Sequence, residues 1–170
     1  MSKLNIRKSV PGDLSTMLEI YAYARRKMKE NGNPNQWITY PEREVLENDL
    51  RSDRSFVVTD EGRVCGTFVF FVGNDPTYDK IDGRWLGGEP YGVIHRIASD
   101  GTNKGILHEA VLFAAKFAEN LRIDTHPDNH VMQNALQKEG FTKTGTIYIV
   151  DDVSDHSARI AFEKVLWQKN

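Results

Sequence analysis

Residues 92–125 read GVIHRIASDGTNKGILHEAVLFAAKFAENLRIDT, and this stretch decides the fold. Gly92 to Ser99 reads as a strand and Asp100 to Asn103 as a polar turn. Beyond the turn, Ile106, Leu107, Ala110, Val111, Ala114, Phe117, Ala118 and Leu121 trace one face at the helical period, the strongest periodic signal in the chain. Arg122 to Thr125 then reads as a short strand.

Working outward, a short helix is expected from about Asn129, with Met132, Ala135 and Leu136 inward and Gly140 as its C′ stop. Thr142 to Val150 and Arg159 to Trp167 read as two strands around an acidic loop holding Asp151, Asp152, Asp155 and His156. Upstream, Leu4, Ile6 and Lys8 open an alternating strand. Pro11 and Asp13 start a helix whose apolar positions are Leu14, Met17, Leu18, Tyr21 and Met28, ended by the Asn- and Gly-rich run Asn31 to Asn35. A second helix begins at Pro41, with Glu42 and Glu44 suited to its dipole and Val45, Leu46 and Leu50 on one face. Ser55 to Thr59 and Arg63 to Val72 form a hairpin about Asp60, Glu61 and Gly62. Gly73 to Tyr91 is too long for a routine connection and reads as a binding or mobile loop. The order β α α β β β α β α β β describes a mixed α/β (α+β) sheet covered by helices.

The chain has 170 residues, enough for one domain spanning 1–170 with a proper core. Basic and acidic residues number 22 and 24, a net charge of −2, which excludes the electrostatic footprint of a dedicated nucleic-acid binder. The longest apolar run, Phe68 to Val72, is far short of the ~20 residues that span a bilayer, and the N-terminus lacks the apolar core of a signal peptide. The expectation is a cytoplasmic protein that binds neither nucleic acid nor membrane. Cys65 is the sole cysteine and falls in a strand, which reads as packing rather than nucleophilic chemistry.

The segment from Ile97 to Phe141 resembles the GNAT superfamily of acyl-CoA-dependent N-acyltransferases. Two motifs carry the resemblance. The family's Arg-Gly-x-Gly-x-Gly/Ala loop, which opens a helix over the CoA pyrophosphate, corresponds here to Thr102-Asn103-Lys104-Gly105-Ile106-Leu107, with only the middle glycine retained. The second motif, an Asn followed by a small or apolar residue, an aromatic and Gly-Phe, corresponds to Asn129, Met132, Leu136 and Gly140-Phe141. Leu136 stands where the family usually has Tyr. Ile123 to Asn129, with Gly32 to Trp37 upstream, looks like a bacterial branch of that superfamily. The resemblance implies a mostly antiparallel sheet of about seven strands flanked by about four helices. It also implies an acetyl-CoA-dependent N-acetyltransferase acting by direct transfer on a primary amine of a small molecule or an amino-acid-like acceptor. The competing reading is a non-catalytic acyl-CoA-binding or regulatory module of the same fold.

Anion binding by a helix N-terminus is the physical logic of the first motif: Gly105 admits close approach, Lys104 adds charge, the Thr102 hydroxyl adds a donor, and Asn103 and Ile106 flank them. The bland alternative is a capped turn in which Asn103 caps the helix. The resemblance further implies a strand pair splayed after Ile97, freeing backbone groups of Ile97 and Ala98 for the pantetheine arm, with Asn129 reaching the cofactor. Asn129 also suits a simple helix cap. For proton transfer His95 is the nominee, since an imidazole titrates near neutrality, with Glu89 and Asp124 as competing carboxylates. Tyr148 is the nominee to replace the acid missing at Leu136. Gln36, Trp37 and Tyr40, with Tyr78 and Trp85 from the long loop, are the expected substrate-binding residues, by apolar and cation–π contact. His126 and His130 are four apart, but Pro127 between them breaks a helical ligand pair, so no metal is expected. A strand edge or the aromatic loop would serve a homodimer.

Overall fold

Near-continuous apolar runs within residues 55–60 and 63–73 build the middle of the sheet, because side chains there are buried on both faces. The structure, a computed structural model, describes residues 3–149 and 157–166. Its elements are β1 (Leu4–Lys8), α1 (Leu14–Glu30), α2 (Arg43–Arg51), β2 (Ser55–Asp60), β3 (Arg63–Gly73), β4 (Asp82–Gly83), β5 (Tyr91–Ser99), α3 (Ile106–Ala114), β6 (Asn120–Thr125), α4 (His130–Lys138), β7 (Thr142–Tyr148) and β8 (Ala158–Val165). Among the described residues one eight-stranded sheet runs β1-β2-β3-β5-β6-β8-β7-β4. All its pairings are antiparallel except β5 with β6.

The sheet separates two helix layers. Phe56, Val58, Phe68, Phe70 and Ile94 pack with Ile106, Ala110, Val111 and Ala114 of α3 and Leu136 of α4. On the opposite face Val57 and Ala98 pack with Leu14, Met17, Ile20 and Tyr21 of α1 and Leu46 of α2. The Cys65 thiol is fully buried in the first cluster, where burial raises its pKa and keeps it protonated. A third cluster of Tyr78, Tyr91, Val93, Ile147 and Ala161 seats residues 76–91 on the sheet.

α4 ends in a Schellman motif. Gly140 takes φ +87°, its N–H bonds the Gln137 carbonyl at 3.1 Å, and the Phe141 N–H bonds the Leu136 carbonyl at 3.0 Å. Leu136 and Phe141 are buried in one cluster, the hydrophobic contact that accompanies this motif.

Three expectations are corrected. α3 stops at Ala114 rather than reaching Leu121. The turn is tightened by bonds from Lys116 N–H to Phe113 and from Phe117 N–H to Ala114, because Asn120 and Leu121 must join the β6–β8 ladder. α2 starts at Arg43, two residues after Pro41. The segment 73–91 carries a 3-10 turn at Pro76–Tyr78 and the two-residue β4, which supplies the eighth strand. Val150, Trp167 and the acidic loop with Asp151, Asp152, Asp155 and His156 lie outside the described residues. Among the described residues no helix is long and apolar enough to cross a membrane.

Candidate active site

The site begins with a bulge in β5. Val69 pairs with His95 and Thr67 with Ala98, so Phe68 faces two residues, Arg96 and Ile97. Arg96 sits at φ +48°, a conformation costing a non-glycine residue ~1–2 kcal/mol. Its anchors offset that cost. Arg96 Nε and Nη2 donate to Asp49 of α2 at 2.9 and 2.6 Å, Nη1 donates to the Tyr40 hydroxyl at 2.8 Å, and the Tyr21 hydroxyl of α1 donates to the Arg96 carbonyl at 2.7 Å.

Beside the bulge the sheet opens. β5 pairs with β6 only at Gly92–Leu121 and Val93–Arg122, while β6 keeps its whole ladder with β8. From Ile94 onward the β6-facing edge of β5 therefore has no strand partner, and the splay starts earlier than the Ile97 expected. A cavity of about 560 Å³ fills it, walled by Ile94 to Ile97 on one side and Ile123 to Thr125 on the other, with Gln36, Trp37, Tyr40 and Asn129 around it. A smaller cavity of about 230 Å³, between α1, the end of β5 and α4, shares Met28, Asn129 and Met132 with it. The two form one groove from the α3 end of the sheet to the splay.

His95 stands in the groove wall. Its Nε2 is 2.6 Å from Asp75 Oδ2, and its Nδ1 is 3.9 Å from Asp124 Oδ2. Asp75 is fixed from both sides: its Oδ1 accepts the Thr77 N–H at 3.0 Å and its own N–H donates to the Tyr91 hydroxyl at 2.7 Å. Burial pushes the Asp75 carboxyl up, but the bonds from His95 and Thr77 outweigh it and hold the group below its ordinary value. An ionised Asp75 places the imidazole proton on Nε2, which leaves the Nδ1 lone pair toward Asp124. The Tyr78 hydroxyl donates to that same Asp124 oxygen at 2.7 Å. His95 and Asp124, named separately from sequence, are thus neighbours. Asp75 was missed; the Asp-Pro pair opening the turn at residue 76 was its only signal.

Two residues before Leu107, which lines the smaller cavity, Gly105 caps α3 in the left-handed region at φ +86°, and no side chain caps that helix. The first N–H groups of α3, from Ile106 on, have no intrahelical acceptor. Exposed Lys104 stands beside them without a partner among the described residues. Thr102 differs from expectation. Its hydroxyl and N–H both donate to Asp100, and Arg63 donates to Asp100 at 2.7 Å and to the Thr102 oxygen at 2.6 Å. Asn103 donates to Asp60 at 2.8 Å rather than capping the helix. These side chains fasten the loop to the β2–β3 turn.

Asn129 does two things. Its Oδ1 accepts the Met132 N–H at 3.1 Å, which caps α4, and its Nδ2 donates to Gln36 Oε1 at 2.9 Å. Trp37 packs edge-to-face on Tyr21 at 5.6 Å while also lining the cavity, so it both pins its loop and walls the groove.

The remaining candidates lie elsewhere. Tyr148 is 55% exposed on β7 and does not line the splay cavity. Tyr78 is buried and reaches the site only through Asp124. Trp85 donates to the Tyr78 carbonyl at 3.0 Å and stacks under Arg122, which holds the loop down instead of walling the groove. Glu89 lines a separate cavity near Phe117 and bonds Asn74 at 3.0 Å. Leu136 is fully buried. His126 Nδ1 accepts the Asp128 N–H at 3.0 Å, and among the described residues no three metal-ligating side chains converge.

No family model matches the sequence, and no curated protein does. Solved structures do match. An acetyltransferase of the GNAT family from Streptococcus agalactiae superposes with a TM-score of 0.83 at 24% identity, over 97% of this chain and 96% of that one. An acetyltransferase from Staphylococcus aureus Mu50 gives 0.69 at 26% identity, over 95% and 99%. An N-acetyltransferase from the same organism gives 0.60 at 25% identity, over 98% and 100%. The open β5 edge, the groove of two joined cavities and the unsatisfied N–H groups beside Lys104 suit the acyl-CoA such folds generally bind. In its sheet order and along nearly its whole length, the chain has the fold of the GNAT-family acetyltransferases, a fold that supports acyl transfer.

Proposed function

We propose that the chain is an acetyl-CoA-dependent N-acetyltransferase that passes the acetyl group directly to a primary amine of a small molecule or an amino-acid-like acceptor. The observation that carries the reading is His95, oriented by Asp75 and 3.9 Å from Asp124 in a cavity walled by the unpaired edge of β5. Acetyl-CoA supplies an activated acyl group with a thiolate leaving group.

The residues divide the remaining work. Lys104 and the α3 N-terminus hold the phosphates. The free edge at Ile97 and Ala98 hydrogen-bonds the pantetheine arm, and Asn129 fixes the groove's width through Gln36. An acceptor ammonium is attracted by Asp124, and His95 Nδ1 takes its proton directly or through one water across the 3.9 Å gap. Trp37 supplies an aromatic wall to the cationic end. No covalent enzyme intermediate is needed, since Cys65 is buried and protonated.

The test is thiol release from acetyl-CoA with a panel of primary amines, amino acids and polyamines, the products identified by mass. Amine-dependent release with a +42 Da product supports the reading. A folded protein that binds acetyl-CoA and acetylates nothing in the panel would instead be the non-catalytic acyl-CoA-binding module.

A further inference from the structure

The fold places a buried leucine, Leu136, on the helix that follows the splay, and the exposed Tyr148 lies off the cavity, so neither protonates a leaving thiolate. We propose that Tyr40, from the loop between α1 and α2, is the general acid of the acetyl transfer. This assignment rests on the acetyltransferase reading above.

Geometry carries it. Among the described residues Tyr40 is the only phenol lining the splay cavity. Its oxygen accepts from Arg96 Nη1 at 2.8 Å, so the hydroxyl is held beside the β5 bulge. Its proton has no acceptor among the described residues, in contrast to the Tyr78 proton, which goes to Asp124, and the Tyr21 proton, which goes to the Arg96 carbonyl. The ring is braced by Trp37, with centroids 6.4 Å apart, and remains 37% exposed at the mouth of the groove, where a filled groove would cover it.

The amine nitrogen bonds the acetyl carbon, the carbon–sulfur bond breaks with its electron pair going to sulfur, and the Tyr40 proton moves to that sulfur. His95 Nδ1 takes the first proton of the acceptor ammonium and releases it to solvent before attack; the second, lost from nitrogen as the amide forms, passes to the same imidazole nitrogen and returns through water to the Tyr40 oxygen, which leaves a free thiol, an amide and one solvent proton. Arg96 stabilises the transient phenolate through the bond it already makes. The charged or titratable groups around Tyr40 are Arg96 and His95 on β5, Asp49 on α2, Asp124 on β6, Arg159 on β8, and Tyr21 and Arg25 on α1, the last donating to the Tyr40 carbonyl at 3.4 Å. Burial raises the phenol above its ordinary value of 10.0 while Arg96 pulls it down, so the hydroxyl keeps its proton across neutral pH.

The test is Tyr40→Phe, read as thiol release from acetyl-CoA with hydroxylamine as a generic nucleophile, beside calorimetric binding of acetyl-CoA and a melting curve. The expected result is a kcat about 10²-fold lower. Acetyl-CoA affinity should stay within about threefold, and the alkaline fall of the wild-type kcat should disappear from the variant. A Tyr40→Phe enzyme with wild-type kcat and an unchanged alkaline limb overturns the assignment while leaving the acetyltransferase reading intact. Wild-type protein that binds acetyl-CoA and does not accelerate thiol release overturns both. If Tyr40→Phe loses stability, Tyr40→His, which keeps a ring and a transferable proton, must recover part of kcat and move the pH limb toward neutrality; failure to do so counts against the assignment.

Discussion

His95 Nε2 and Asp75 Oδ2 lie 2.6 Å apart, and this contact decides which imidazole nitrogen meets the cavity. Asp75 comes from the turn before Tyr78 and His95 from the strand before the bulge, so a segment that reads as loop positions the candidate base. Asp75→Asn should lower kcat about 10- to 100-fold, because a neutral amide can stabilise the wrong tautomer and no longer supports a charged imidazolium. Acetyl-CoA affinity should be unchanged. A steady-state pH profile in which Asp75→Asn matches wild type would remove the pair from the mechanism.

Glu163 is fully buried on β8 and gathers Arg122 Nε at 2.7 Å, Asn120 Nδ2 at 2.8 Å, the Gly87 N–H at 2.9 Å and the Leu86 N–H. Arg122 is itself held between Tyr91 and Trp85, 3.9 and 4.2 Å from their ring centres. Glu163→Gln strands the Arg122 charge and should cost ~3 kcal/mol, about 6–12 °C in melting midpoint.

Burial raises the Glu163 carboxyl, but its four donors prevail and hold it below its ordinary value of 4.5. Its contribution is therefore fully present above pH 4.5 and is lost as pH falls through the lower folded value. Wild type should lose stability in that acid window, and Glu163→Gln should lose less over the same pH change, measured by denaturant melts. Parallel acid slopes would show that Glu163 does not carry the linkage.

The helix-strand order was legible because burial leaves periodic traces. The same trace misled at α3: Phe117, Ala118 and Leu121 continue the helical period, yet Phe117 packs on Phe113 from a turn and Leu121 belongs to β6. Periodicity reports which side is buried, and a turn into a strand can keep that side. At the site, His95 and Asp124 were legible as chemistry but their pairing was not, since it depends on the β5–β6 splay. Asp75 and the Arg96–Asp49–Tyr40 set were illegible because they meet only through tertiary packing. Tyr148 fitted the missing acid by sequence position, whereas β7 leaves it on an exposed face.

Gly105 has no atom near the place a Cβ would occupy, so steric crowding does not restrict that position; its φ of +86° and its facing helix N-terminus do. Gly105→Asp should weaken acetyl-CoA binding more than about tenfold by setting a carboxylate against phosphate. Gly105→Ala should lose only ~1–2 kcal/mol of stability from the left-handed backbone. Equal affinities for both variants and wild type would move the phosphate site elsewhere.

Asn129 allows capping to be separated from groove building. Asn129→Ala removes both the bond to Met132 and the bridge to Gln36, and should cost ~1 kcal/mol. Asn129→Ser restores the cap without the bridge, so melting should recover while KM for acetyl-CoA stays raised. Full recovery of both would reduce Asn129 to a cap.

The most direct test of the account is calorimetric titration of the folded protein with acetyl-CoA, with CoA and ATP run in parallel. The groove from Ser99 and Leu107 to the splay, with Lys104 and the α3 N-terminus proposed for the phosphates, predicts micromolar binding of acetyl-CoA and CoA and none of ATP. Failure of folded protein to bind acetyl-CoA would contradict the assignment of that groove and with it the proposed acetyl transfer.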